Sequence, residues 1–341
     1  MGPFLPITTD RLVLRPMVAD DAVPFAAYRS DPDVARFQSW DAPYPLASAA
    51  RLIADQASLR GPAAGSWIQI AVTVDGALAG DVAVGLDADG SIATLGYTLA
   101  PTYQGRGLAR EASRSVVDRL FDESGVHRVE ASVDAANVPS ARLLEDLGFE
   151  YEGTAVSAVR AGGVWADDVR YALTADSRSS WAARPRHRPA DVRLVEVTPD
   201  IRRGVLHLAT HRTQQRFVAP MPESFVDALV PEEVSGVPVV PWFRAIEADA
   251  ELAGFVMLAE RTAAHPEAYL WRLLIDRRHQ RRGIGDRVLA LLTAQLRAEG
   301  HETLLVSWHP GAGGPEPFYV ARGFVPTGVV EDGEIEARLR L

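Results

Sequence analysis

The chain carries the same run of landmarks twice, and that duplication limits its fold more than any other feature. Leu78-Ala79-Gly80 returns as Leu252-Ala253-Gly254, Gly107 in QGRGLA as Gly283 in QRRGIG, and Gly148-Phe149 as Gly323-Phe324. The separations are 174, 176 and 175 residues. A near-constant spacing this long implies two duplicated domains, because solenoids repeat every ~20–50 residues. A length of 341 residues suits two such domains. They are expected at 1–176 and 191–341. Residues 177–190, SRSSWAARPRHRPA, hold Pro185, Pro189 and four arginines with little apolar periodicity, and read as a linker.

Each half shows one order of patterns. Residues 7–17 (ITTDRLVLRPM) alternate like a strand, and Ala19-Asp20-Asp21 opens a helix with Asp at a capping position. WIQIAVTV and ALAGDVAVGL read as strands around an Asp75-Gly76 turn, and ATLGYTLAP as a third. Residues 108–124 place Leu108, Ala112, Val116, Leu120 and Phe121 on one helical face. VHRVEASVD is a strand, residues 138–147 a helix, and a hairpin closes the half. The second half repeats this with VRLVEVT, the hairpin FRAIEADAELAGFVMLAE and the strand AYLWRLLID. A helix follows over 284–298 with Ile284, Val288, Leu291, Leu292 and Leu296 inward, then the strand ETLLVSWHP and a short helix in PEPFYVARGF. Both halves are therefore expected to be mixed α/β domains.

The chemistry sits where a strand meets a helix through a glycine turn. The first copy is Gln104-Gly105-Arg106-Gly107-Leu108-Ala109, the second Gln280-Arg281-Arg282-Gly283-Ile284-Gly285. Glycine lets the backbone turn sharply and approach a ligand. The helix behind it offers unpaired N–H groups and the positive end of its dipole, which suits phosphate oxygens. Arg106, Arg281 and Arg282 are expected to add charge at the rim. The spacing is not that of the dinucleotide fingerprint. A P-loop is excluded because the chain has no lysine, all 35 basic residues being arginine.

Other chemistries have little to stand on. There is no cysteine, which removes disulfides, thiolate catalysis and Cys-ligated zinc. The eight histidines form no paired metal spacing, so no metal site is expected, and no Gly-x-Ser-x-Gly elbow occurs. A net charge of −10 disfavours nucleic acid and favours cationic ligands. No apolar run is long enough to span a bilayer, so no membrane role is expected. The first residues show no signal-peptide pattern, which favours the cytoplasm.

Both halves resemble the GCN5-related N-acetyltransferase (GNAT) superfamily, with loop, preceding strand and terminal Gly-Phe in order. The first half resembles the ribosomal-protein-alanine acetyltransferases through TDRLVLRP, LGYTLAPTYQGRGLAREA and ANVPSARLLEDLGFEYEG. The second is similar to diamine and polyamine acetyltransferases through QQRFVAPMPESF, WRLLIDRRHQRRGIG, HPGAGGPEPFYVARGF and DGEIEARLRL. The resemblance implies two tandem domains, each a central, mostly antiparallel, splayed sheet flanked by helices. It also implies acetyl-CoA, or another acyl-CoA, held by the two loops and by the strand backbone at Tyr97, Thr98 and Leu99 or Leu273, Leu274 and Ile275. A primary amine would attack the thioester directly, from a small polycation, an aminoglycoside-like metabolite or a peptide N-terminus.

Tyr319 falls at the general-acid position of that family, in Tyr-x-x-x-Gly-Phe; a packed amphipathic tyrosine is the other reading. The matching residue of the first half is Leu144, which donates no proton. There Asn137 and Ser140 match an Asn-x-x-Ser arrangement in which Asn touches the cofactor and Ser lies near the sulfur. The pair could equally cap the following helix. Glu260, Glu267 and Glu334, and in the first half Asp81, Asp167 and Asp168, are the carboxylates weighed as bases. Residues 31–66 and 211–241 are expected to supply the acceptor loops. An acyl-CoA-binding sensor or scaffold, with one or both domains silent, is the alternative. A tandem of this kind can act as a pseudo-dimer within one chain.

Overall fold

Period-2 apolar patterns build two large sheets, and period-3.6 patterns cover them with helices. The structure, a computed structural model, describes residues 3–161, 164–234, 236–263 and 266–341. The chain divides into two units, Met1–Ala182 and Ala183–Leu341.

The first unit opens with β1 (Ile7–Thr8) and β2 (Val13–Pro16). Helices α1 (Ala22–Arg29), α2 (Pro32–Ala35) and α3 (Leu46–Asp55) follow. Then come β3 (Trp67–Val74), β4 (Ala77–Leu86), β5 (Ile92–Leu99), α4 (Leu108–Glu123), β6 (Arg128–Asp134) and α5 (Val138–Leu147). The unit closes with β7 (Glu150–Ala161), β8 (Val164–Thr174) and α6 (Ala175–Ala183). The sheet order is β1-β2-β3-β4-β5-β6-β8-β7, antiparallel throughout except for the central β5–β6 pair.

The second unit repeats this plan. It holds β9 (Val192–Val195), α7 (Arg202–Leu206), α8 (Met221–Leu229), β10 (Glu233–Val234) and β11 (Val237–Pro238). Next are β12 (Pro241–Ala248), β13 (Glu251–Ala259), β14 (Ala268–Ile275), α9 (Ile284–Ala298) and β15 (Thr303–Trp308). It ends with α10 (Glu316–Val320), β16 (Val325–Glu331) and β17 (Glu334–Arg340). Its large sheet runs β9-β12-β13-β14-β15-β17-β16, with β14–β15 the parallel pair. Strands β10 and β11 pair as a separate short ribbon. The mixed, mostly antiparallel sheets expected from the sequence are present in both units.

The shared Leu-Ala-Gly landmark has a packing cause. A Cβ on Gly80 would stand 2.2 Å from the Thr98 carbonyl oxygen, and one on Gly254 2.3 Å from that of Leu274. Only glycine lets the central strand approach this closely. Helices α4 and α9 bury their expected stripes beneath the sheets, each fully buried Leu, Ile or Val contributing about 1.5–3 kcal/mol. Two positions differ: Leu291 is exposed, with Leu289 buried instead, and Phe121 is only half-buried.

Three local expectations are corrected. Residues 7–17 form two strands, because Thr9 Oγ1 accepts from Leu12 N–H and turns the chain back, pairing Ile7 with Leu14. Asp21 caps from the third position and not the first: its carboxylate accepts from the N–H of Val18, the N-cap residue, and pairs with Arg15. The segment read as a linker begins inside α6, where Arg178 pairs with Asp118 and Asp122, and Trp181 sits against Gly148.

Candidate functional site

The two loops share one geometry. Gly107 and Gly283 are the N-caps of α4 and α9, with φ of 75° and 76° in the left-handed region. The first N–H groups of each helix have no partner within it and point out through the loop. Leu108 and Ile284 bury their side chains in the core, so they offer the loop backbone alone. Ala109 and Gly285 complete the first turn behind them. Gln104 and Gln280 serve the turn itself: Nε2 donates to the Leu99 carbonyl at 2.9 Å and to the Ile275 carbonyl at 3.1 Å. Gln280 is further locked by reciprocal bonds with Gln214. Gly105 is also left-handed, with φ 70°, and Arg281 takes the matching place in the second loop with φ 59°.

The arginines separate into two roles. Arg106 and Arg281 are exposed, as a rim charge must be. Arg282 is not at the rim, since its guanidinium is buried. Its Nε donates to the His187 carbonyl at 2.8 Å, its Nη1 meets His279 Nδ1 at 2.8 Å, and its Nη2 lies 3.5 Å from Asp249. Burial lowers the His279 pKa, leaving a neutral ring whose Nδ1 accepts. Arg282 thus ties the segment before β9 to the second loop. Two arginines outside the motifs come to the glycines instead. Arg11 Nη2 lies 3.7 Å from the Cβ position of Gly107, and Arg188 Nε 3.5 Å from that of Gly283. Arg11 is held there by Glu111 and by the Arg106 carbonyl.

Each sheet opens at its centre. Strands β5 and β6 pair only from Ile92–Arg128 to Thr94–Glu130, and β14 and β15 only from Ala268–Leu304 to Leu270–Val306. Beyond those points the strands diverge, leaving Tyr97, Thr98 and Leu99 on one wedge and Leu273, Leu274 and Ile275 on the other. Strand β14 also bulges at Trp271, where the β13 register shifts between Met257 and Leu258; such bulges accompany functional sites.

In the second unit the wedge opens into a cleft of about 1420 Å³. Leu273, Ile275, Gln280, Arg281, Gly283, Ile284, Gly285 and Tyr319 all line it. Thr210, Gln214 and Glu223 belong to the expected acceptor segment or lie beside it, and they line it too. Tyr319 is almost fully buried, stacked on Trp308 and edge-on to Phe318 and Phe324. Burial, reinforced by Tyr269, raises its pKa, so the phenol keeps its proton. The packed reading and the acid reading of this residue are therefore compatible.

The first unit is built differently at the matching place. Leu144 is fully buried in the core. Asn137 caps α5, its side chain accepting from Ser140 N–H at 3.2 Å. Ser140 Oγ is 2.8 Å from the Tyr97 hydroxyl, which also donates to the Ser140 carbonyl at 3.0 Å. The Tyr97 phenol was not foreseen. Its signal is the period-2 phase of β5, which puts it on the same face as Leu95 and Leu99.

The carboxylates are unequal. Asp81 is 1% exposed beneath α1, where it accepts from the Tyr28 hydroxyl and lies 3.3 Å from Arg29 Nη2. Burial raises its pKa in spite of Arg29, and no acceptor reaches it. Asp167 accepts from Ser157 N–H, and Asp168 pairs with Arg170 at 3.3 Å. Glu260 lies outside the cleft lining, whereas Glu267 and Glu334 line it. Glu267 is held ionised, its pKa lowered by the Thr303 hydroxyl and by Arg338. Glu334 accepts from the Ser307 hydroxyl and lies 3.5 Å from His309 Nε2.

The residues present fit a phosphate-bearing, amide-bearing ligand: two left-handed cradles at helix N-termini, exposed arginines, and strand edges free to pair. Among the described residues no helix is long and apolar enough to cross a membrane, and no group of His, Asp or Glu could hold a metal ion.

Comparison with known proteins agrees with this geometry. Residues 11–150 match the acetyltransferase (GNAT) domain model, and residues 209–324 match the acetyltransferase (GNAT) family model. An uncharacterised N-acetyltransferase, p20, of Bacillus licheniformis is 31% identical over 169 residues, covering 48% of this chain and 93% of that protein. The [ribosomal protein uS5]-alanine N-acetyltransferase of Escherichia coli is 38% identical over 80 residues, 24% of this chain and 41% of that one. Among solved structures, spermidine N-acetyltransferase from Vibrio cholerae with CoA and spermine is 20% identical. It covers 50% of this chain and 99% of its own, with a TM-score of 0.45. Both domain models match in order, p20 is matched along nearly its whole length, and each half has a splayed sheet with a glycine-capped helix: the chain belongs to the GNAT acetyltransferase family, in tandem, and is an N-acetyltransferase.

Proposed function

We propose that the chain moves an acyl group, acetyl in the simplest case, from acyl-CoA to a primary amine, with the second unit as its catalytic centre. The observation that carries this is Tyr319, which lines one cleft with the glycine loop and the free edge of β14. When bound, an acyl-CoA supplies a thioester with an electrophilic carbonyl carbon and a sulfur that can depart. The α9 N-terminus and Arg281 would hold the diphosphate, and the backbone of Leu273–Ile275 would pair with the pantetheine amides. A backbone N–H of β14 polarises the acyl carbonyl. Tyr319, neutral because it is buried, gives its proton to the departing sulfur.

The acceptor is a cationic amine in this reading. Glu223, Glu232, Glu233, Glu331, Glu334 and Glu336 all line the cleft and draw positive charge into it. Small polycations fit this lining better than a neutral peptide end. In the first unit Leu144 offers no acid, and the hydroxyl pair Tyr97–Ser140 stands in its place. That unit binds the donor and turns over slowly or not at all.

The test is release of CoA from acetyl-CoA by the full chain across a panel of amines. Turnover with at least one di- or polyamine is expected. Binding of acetyl-CoA without turnover on any amine would instead establish a sensor.

A further inference from the structure

We propose that Glu334 is the proton sink of the second unit, reached through a two-hydroxyl wire formed by Tyr269 and Ser307. This rests on the acyl-transfer reading above and adds a route for the acceptor's proton.

Three strands bring the wire together. Tyr269 lies on β14, Ser307 on β15 and Glu334 on β17, and these strands are neighbours in the sheet. The Tyr269 hydroxyl donates to Ser307 Oγ at 2.5 Å. The Ser307 hydroxyl donates to Glu334 Oε2. The other carboxylate oxygen faces His309 Nε2 at 3.5 Å. All four side chains line the cleft that holds Tyr319. Both hydroxyl protons already point toward the carboxylate, so one arriving proton displaces each along the line. Burial raises the Tyr269 pKa, so it passes a proton on and does not serve as the base itself.

The balance is simple. An ammonium at the Tyr269 oxygen gives up one proton there. The Tyr269 proton moves to Ser307, and the Ser307 proton to Glu334, which becomes a neutral acid. The freed nitrogen bonds to the acyl carbon as the carbon–sulfur bond breaks, and its second proton goes to water. Tyr319 protonates the sulfur and is reprotonated by water. Glu334 returns its proton to solvent past His309. One proton leaves per turnover.

Glu334 is distinct from the other carboxylates of the cleft in this linkage. Glu267 is occupied by Thr303 and Arg338. Tyr269 and Arg272 on β14, Tyr319 on α10, His309, Glu331 at the end of β16 and Glu336 on β17 are charged or titratable groups around the wire.

The experiment uses the full chain carrying Gly107→Val, which takes the first loop out of its left-handed turn. Two acceptors are compared, propylamine and trifluoroethylamine, the second being mostly unprotonated at neutral pH. Glu334→Gln is expected to lower kcat/KM for propylamine about tenfold or more. It should lower that for trifluoroethylamine by less than about threefold, since that amine needs no base. The propylamine loss should shrink as pH rises toward the amine's own pKa, while CoA affinity by calorimetry and thermal midpoint stay unchanged. Ser307→Ala breaks the wire and keeps the carboxylate, removing only the hydrogen bond that Ser307 gives it. It should give the same pattern, and it carries the test if Glu334→Gln does not fold. Equal losses on both amines, or no loss on either, overturns the wire. Absence of turnover before Glu334 is altered overturns the acyl-transfer reading itself.

Discussion

Tyr319 lies face to face with Trp308, the ring centroids 5.6 Å apart and the planes 12° from parallel. The stack uses the face of the phenol and leaves its hydroxyl for chemistry. Tyr319→Phe keeps the stack, so the thermal midpoint should hold while kcat falls about tenfold or more. Trp308→Ala should cost about 3–5 kcal/mol of stability and lower kcat as well, because the ring that aims the hydroxyl is lost. Steady-state kinetics beside thermal unfolding separates the two variants. An unchanged kcat in Tyr319→Phe removes the residue from the chemistry.

Adjacent arginines should behave oppositely. Arg281 holds a left-handed φ of 59° in the loop, a conformation that costs a non-glycine residue about 1 kcal/mol. Arg281→Gly should therefore gain up to about 1 kcal/mol in urea unfolding and weaken CoA binding. Arg282→Ala should lose about 2–4 kcal/mol, since it strips a buried cation from His187, His279 and Asp249. Similar stability changes in both variants would contradict the inward turn of Arg282.

Arg188 offers a cleaner view of the donor site. It is exposed, and its guanidinium stands beside Gly283. Arg188→Ala should leave the thermal midpoint within about 1 °C, as surface changes do. CoA titration should show one weakened site of two, with a flatter salt dependence at that site. Two unchanged binding isotherms would place Arg188 outside the diphosphate's reach.

Alkaline stability should report four shielded phenols. Burial raises the pKa of Tyr28, Tyr97, Tyr269 and Tyr319. An unfolded tyrosine titrates near about pH 10. Below that value both states hold the proton, and the stability is fully present. Above it the unfolded state loses protons first, so stability falls as pH rises toward the folded values. Each phenol adds a slope of about 1.4 kcal/mol per pH unit. The urea midpoint should stay level from about pH 8 to 9.5 and drop beyond, less steeply in Tyr28→Phe. A level midpoint through pH 11 would mean these rings reach solvent.

What could be read in the chain follows the range of the interactions involved. Helix α9 was expected over 284–298 and spans Ile284–Ala298, because a glycine N-cap and a 3.6-residue stripe are both local. The mixed sheets and the duplicated loops were legible for the same reason. The fate of Arg282 was not: two identical residues in a row point opposite ways only because the backbone turns left-handed between them. Residues 269, 307 and 334 are scattered along the chain, and only the order β14-β15-β17 makes them one line. Asn137 was legible as either a cap or a ligand contact, and the cap is what its side chain makes. The split of residues 7–17 was hidden because one side-chain bond, from Leu12 N–H to Thr9 Oγ1, makes the turn, and the buried positions change phase across it from Ile7 to Leu12 and Leu14.

The early end of pairing at the centre of each sheet has a mechanical consequence. Strands β1 to β5 are hydrogen-bonded to strands β6 to β8 through only the short ladder from Ile92–Arg128 to Thr94–Glu130, and the second unit is jointed likewise from Ala268–Leu304 to Leu270–Val306. Each sheet is thus two plates on a narrow hinge line. A ligand that hydrogen-bonds along one free edge while its phosphates grip a helix on the same wedge acts as a splint. Stiffness in this protein is then a property of the loaded domain, and the angle between the plates is set by what lies between them.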